Sequence, residues 1–162
     1  MELRQHAWAS GMNQIALIGI ENVLCRGDSL KTDFAQPYAK PLYAALRTQF
    51  RTVGLAMADQ NLARWWLNRE GLADWSAVLS WNTSAMTYPD WCVDQVRDFL
   101  TNAWEIAFLL TNDPGVARKA NELGVLTLSV GTPSHPPGWK PEDSTFTPWE
   151  ELSDRLAWGA AP

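Results

Sequence analysis

Ile15-Ala16-Leu17-Ile18-Gly19-Ile20-Glu21-Asn22-Val23-Leu24 is the stretch on which the reading of this chain turns. From Ile15 to Ile20 it is apolar without alternation. A run of that kind, too short for a helix, predicts a strand buried on both faces. It breaks at Glu21 and Asn22 and passes into Cys25-Arg26-Gly27-Asp28, so the strand delivers polar groups to its C-terminal end. The residues before it, 1–14, show no period and read as an N-terminal arm.

Outward from this strand, residues 25–37 have a loop composition, with Gly27, Asp28, Ser29, Asp33 and Pro37. Residues 38–50 fit a helix: Pro41 stands in its first turn, and Leu42, Ala45, Leu46 and Phe50 recur at helical spacing. Residues 52–58 predict a second buried strand. Residues 60–70 predict a helix packed through Leu62, Trp65 and Trp66, with Gly71 as its stop. A third strand is expected over 76–81, a helix over 89–102 and a fourth strand over 105–110. Asp113-Pro114 opens a helix that ends near Leu123-Gly124, and 125–130 predict a fifth strand. Strands that alternate with helices make a parallel sheet covered on both faces, and the right-handed crossover rule leaves few topologies for it. The expected fold is therefore α/β and Rossmann-like over 15–130. Residues 131–162 form a tail rich in proline and tryptophan, with Pro133, Pro136, Pro137, Pro141 and Pro148. It is expected to pack on the domain, with a short helix over 149–158 that presents Leu152, Leu156 and Trp158.

Composition narrows the function classes. With 162 residues and 46% hydrophobic content, the chain suits one domain with its own core. Its net charge of −5 argues against a general nucleic-acid binder, whose electrostatic footprint is basic. Cys25 and Cys92 are too few for a disulfide framework or a zinc site, and read as reduced thiols of a cytoplasmic protein. No signal-peptide pattern and no membrane-length apolar run is present. His6 and His135 sit apart in arm and tail, and neither a P-loop nor a dinucleotide glycine fingerprint occurs.

Tryptophan is the outlier, at ten residues. Ten such rings are hard to hide in a domain of this size, and tryptophan is enriched in interaction surfaces. A tryptophan-rich core with partly exposed rings accounts for them equally well. Trp65 and Trp66 are neighbours on a helix, about 100° apart, so only one ring can face the sheet. Trp139 and Trp149 lie in the tail, where no regular element obliges burial. These four are the candidate interaction residues, serving self-association or a protein partner.

The order of elements and the first strand resemble the haloacid dehalogenase (HAD) superfamily. Its first motif is a buried strand ending in Asp-x-Asp-Gly-Thr-Leu/Val. The resemblance covers about residues 15–130 and rests on pattern more than identity. It implies a five-stranded sheet of order 3-2-1-4-5 and a magnesium-assisted phosphoryl transfer through an aspartyl-phosphate. On this chain it places Gly19 at the nucleophile, Glu21 at the general acid and Ala58 at the phosphate-holding Ser/Thr. Tyr88, followed by Pro89, stands where a lysine is expected. The acidic motif after the fourth strand survives in part as Leu110-Thr111-Asn112-Asp113. The short links at 25–37 and after Trp81 leave no room for a cap domain.

Glycine has no side chain with which to attack phosphorus. Asp113 followed by Pro114 reads first as a helix N-cap with proline at N1. Glu21 and Asp113 are the candidate magnesium ligands, with Asp28 and Asp59 as further loop carboxylates; one carboxylate alone holds that ion poorly. The leading expectation is a catalytically inactive HAD-like module for protein interaction or structure, of the kind a bacteriophage uses as an accessory or virion protein. The alternative is a diverged magnesium-dependent phosphohydrolase or nucleotide-binding protein using Glu21 and Asp113.

Overall fold

A computed structural model of the chain describes residues 14–130. The N-terminal arm and the tail, with Trp139 and Trp149, lie outside the described residues.

The elements run β1 (Gln14–Gly19), a π-helical turn (Ile20–Leu24), α1 (Ala39–Arg47), β2 (Arg51–Ala56), α2 (Gln60–Arg69), β3 (Ala77–Ser80), α3 (Tyr88–Thr101), β4 (Glu105–Thr111), α4 (Pro114–Glu122) and β5 (Thr127–Ser129). The strands make one parallel sheet in the order β3-β2-β1-β4-β5. The fold is thus α/β and Rossmann-like, in the strand order expected. The central strand pairs along its length with β2, from Ile15↔Arg51 to Gly19↔Leu55, and on its other side with β4.

Side chains leave a strand alternately to either face, which divides the core in two. Ala16, Ile18, Ala56 and Val78 pack with Ala39 and Tyr43 of α1 and with Ala63, Trp66 and Leu67 of α2. Ile15, Leu17, Val53 and Leu55 pack on the other face with Trp91, Val96 and Phe99 of α3 and with Val116 and Ala120 of α4. Every residue of β1 after Gln14 is buried, as its unbroken apolar run requires. A register shift in the β1–β4 ladder between Ile15 and Ala16 turns Ile106 to one core and Phe108 to the other.

Helix ends follow the sequence signals. Asp59, Thr87 and Asp113 accept hydrogen bonds from backbone N–H groups in the first turns of α2, α3 and α4. Gly71 and Gly124 take φ of 73° and 84° just beyond α2 and α4, where a side chain would be strained. The second strand ends at Ala56, two residues before the expected Ala58. The fifth is three residues long rather than six. Residues 25–37 are a loop as expected, closed by an antiparallel bridge of Cys25 with Ala35. Among the described residues no helix is long and apolar enough to cross a membrane.

Candidate functional site

The parallel strands all end at one sheet edge, where crevices of such folds gather their functional groups. The central strand ends there at Gly19 and passes into the π-turn, in which Cys25 N–H donates to the Ile20 carbonyl at 2.9 Å. Inside the turn Glu21 is extended, with ψ of 138°, and Asn22 takes a left-handed φ of 58°. This pair of dihedrals swings the Glu21 side chain under the sheet edge and leaves Asn22 exposed.

Glu21 is buried, at 2% exposure. Its Oε2 accepts from Met57 N–H and its Oε1 from Ala58 N–H, both at 2.9 Å. The two amides that follow β2 are therefore held by a carboxylate of the chain itself. Burial raises the Glu21 pKa above the usual carboxylate value, against the lowering effect of those amide bonds. Ala58 contributes only its backbone, and its carbonyl accepts from the Ser80 hydroxyl.

Gly19 is tightly enclosed. A Cβ there would lie 2.9 Å from Val23 Cγ2 and 3.5 Å from the Leu110 carbonyl oxygen. Val23 is itself buried, so this is not a flexible chain end that could step aside. Tyr88 lies between Trp81 and Trp91, with ring centroids 6.0 and 5.7 Å away. Its hydroxyl donates to the Leu55 carbonyl at 3.0 Å. Burial holds the phenol well above its usual pKa, with further upward contributions from Cys92, Glu21 and Asp113. Cys92 is pushed up to about 12, chiefly by burial, so it is a thiol rather than a nucleophilic thiolate at neutral pH.

Asp113 Oδ1 accepts from Gly115 N–H at 2.8 Å and Val116 N–H at 2.9 Å, while its own N–H donates to the Thr111 hydroxyl at 3.1 Å. Asp59 spends an oxygen in the same way on Asn61 and Leu62. Asp28 is exposed. Among the described residues no group of three or more His, Cys, Asp or Glu side chains is placed to hold a metal ion. Magnesium needs near-octahedral oxygen ligation. Glu21 has both oxygens on amides and Asp113 has one on its helix, so this donor set does not fit that ion.

The interaction candidates separate as the helix geometry requires. Trp66 is fully buried, and its Nε1 donates to the Asp33 carbonyl at 2.9 Å. Trp65 is 50% exposed. Arg69 lies between two rings, its guanidinium carbon 5.0 Å from the Trp65 centroid and 5.4 Å from that of Phe34. Sequence reasoning passed over Phe34, an isolated aromatic in the polar stretch Lys31-Thr32-Asp33. That isolation in a loop was the available signal.

No family model matches the chain. Two curated proteins are similar to it, the genome polyproteins of Human klassevirus 1 and of Salivirus A (isolate Human/Nigeria/NG-J1/2007). Each is 29% identical over 128 residues, covering 75% of this chain and 5% of the polyprotein. The chain therefore spans about one-twentieth of the length of the curated relatives it matches. The viral element of the expectation finds a counterpart here, but neither relative is a bacteriophage protein and the bacteriophage reading is dropped. Among solved structures, a chain in a structure of the Pnkp1/Rnl/Hen1 RNA repair complex aligns with a TM-score of 0.60 and 12% identity, over 75% of this chain and 43% of that one. A second structure of the Pnkp1/Rnl/Hen1 complex gives 0.56 and 13%, over 75% and 47%. At such identity the likeness is one of fold.

Proposed function

We propose that this chain is a degenerate HAD-like domain that binds a protein partner or serves a structural role, and that it does not transfer phosphoryl groups. The observation that carries this reading is the closed end of β1. A side chain at Gly19 would collide with Val23, so the nucleophile is missing and the space for it is filled as well. Three further features agree with it. The amides after β2 are occupied by Glu21, the Tyr88 hydroxyl is spent on a backbone carbonyl, and Asp113 caps a helix. Each group that the resemblance would give to substrate or metal has an internal partner instead. The similarity to segments of viral genome polyproteins suits a small virus-encoded module, and the half-exposed Trp65 beside Phe34 supplies a surface for it.

The test is hydrolysis of p-nitrophenyl phosphate with magnesium, by the natural protein and by Gly19→Asp. Losing a covalent nucleophile removes several orders of magnitude in rate. No turnover above buffer is expected from either protein, because an added aspartate has no room to adopt an attacking position. Magnesium-dependent turnover by the natural protein that disappears in Glu21→Gln would overturn the proposal in favour of a diverged phosphohydrolase.

A further inference from the structure

The loop between β1 and α1 is fastened to the end of α2 by four side-chain hydrogen bonds. Trp66 Nε1 donates to the Asp33 carbonyl at 2.9 Å. Arg69 donates to the carbonyls of Asp33 at 2.7 Å and Lys31 at 3.4 Å. Glu70 Oε2 accepts from Ala35 N–H at 3.0 Å. These bonds hold Phe34 out in solvent at 66% exposure, beside the half-exposed Trp65, with the Arg69 guanidinium between the two rings. Two large rings fixed in this way form a preorganised surface, which lowers the entropy cost of binding.

Charge around this surface runs against the molecule as a whole. Exposed Arg26 and Lys31 belong to the same loop, and exposed Lys40 lies beside Gly71 at the end of α2. Two nearby acids are held by partners of the chain itself. Asp33 accepts from Ser29 N–H and the Thr32 hydroxyl, and Glu70 pairs with Arg69. Asp28 is the remaining exposed acid of the loop. On a chain of net charge −5, this is a local excess of cations around exposed aromatic area.

We infer that the Phe34–Arg69–Trp65 surface binds an acidic protein segment bearing an aromatic side chain, carboxylates meeting Arg26, Lys31 and Lys40 while the aromatic ring packs on Phe34 and Trp65. This rests on the reading of the domain as a binding module and names the chemistry of its partner. A peptide is favoured over single-stranded RNA. The net negative charge beyond the patch repels a polyphosphate that must run across it, whereas a short acidic segment touches only the cationic surface. Arg, Trp and aromatic neighbours are also the residue types that dominate protein interfaces.

The test is binding of a short, fluorescently labelled Glu/Tyr peptide to the full chain, followed by anisotropy, with an all-glutamate peptide of equal length, polyglutamate and polyuridylate as competitors. Saturable binding is expected, weakened about tenfold by Phe34→Ser and by Lys31→Glu. The all-glutamate peptide and polyglutamate should compete poorly and polyuridylate not at all. Circular dichroism should show both variants folded, since Phe34 and Lys31 are exposed. The inference is overturned if the Glu/Tyr peptide does not bind, if folded Phe34→Ser binds as well as the natural protein, or if the all-glutamate peptide or polyuridylate competes as strongly as the unlabelled Glu/Tyr peptide. None of these outcomes depends on the phosphatase assay, so either reading can fail alone.

Discussion

Glu21 is the residue at which chemistry and stability meet. Its carboxyl is buried and its pKa raised, mainly by desolvation. A carboxyl whose folded pKa exceeds its unfolded value makes the folded state the better proton binder. Its contribution is therefore fully present below the unfolded value and declines as pH rises through the folded one. The difference in unfolding free energy between the natural protein and Glu21→Gln should accordingly narrow as pH rises above about 4.5, the ordinary carboxyl value. The glutamine variant should still be destabilised by roughly 1–3 kcal/mol, because its amide nitrogen cannot accept from one of the two N–H groups. Urea unfolding across that pH range measures both effects; a difference that widens with pH would contradict the sign. Asp113 carries a separate expectation. Asp113→Ala should cost about 1 kcal/mol as a lost N-cap, and Asp113→Ser should recover most of it. Millimolar magnesium should leave the melting temperature of the natural protein unchanged, since a ligand stabilises only by binding the native state.

At the scale of elements, the strands of the sheet's centre were legible because burial on both faces leaves an apolar run, as in Ile15–Gly19 of β1 and Val53–Ala56 of β2. The start of α4 was legible for a different reason: Asp113 is a short acceptor that the first turn needs, and Asp59, read from the sequence as a loop carboxylate, caps α2 in the same way. Three features were not legible. The π-turn at Ile20–Leu24 is too short to carry a period, and its conformation is set by the packing of Glu21 against β2. The bridge of Cys25 with Ala35 joins residues in a stretch of loop composition. The fifth strand was expected to be longer because Val125, Leu126, Leu128 and Val130 are apolar, yet among the described residues β5 pairs on one side alone, with β4, and Leu126 and Leu128 are 61% and 46% exposed. Of the candidate site, Gly19, Glu21, Tyr88 and Asp113 could be named from the sequence. The capping bonds of Asp113 could also be read, because they are local; what Glu21 and Tyr88 touch could not, because their partners are backbone groups of distant elements. The contrast between two leucines in register makes this testable. Leu110, buried at 3% exposure, pairs with Leu128 across the β4–β5 ladder. Leu110→Ala should cost about 2–5 kcal/mol, whereas Leu128→Lys should change stability by no more than about 0.5 kcal/mol. The shift in denaturant midpoint compares them directly.

For the whole molecule, the strand order carries a consequence for how the chain assembles. Up to Ser80, three neighbouring strands and both helices of one face are already present. Among the described residues, the other face, with Ile15, Leu17, Val53 and Leu55, gains its cover from α3 and α4. At roughly 1.5–3 kcal/mol for each such side chain, the missing cover is comparable to the entire stability of a small domain, about 5–15 kcal/mol. A fragment ending at Ser80 should therefore lack a cooperative thermal transition by circular dichroism. The central strand also waits for its second neighbour: Gln14 meets Glu105 across 91 positions of sequence. As the polypeptide emerges from the ribosome, one long side of β1 stays open, with unpaired N–H and C=O groups beside apolar side chains, until β4 has been made. Such an edge invites pairing with the wrong chain. The interval between synthesis of residues 80 and 111 is thus when the nascent protein is most exposed to aggregation, and when a chaperone that shields strand edges would raise its yield most.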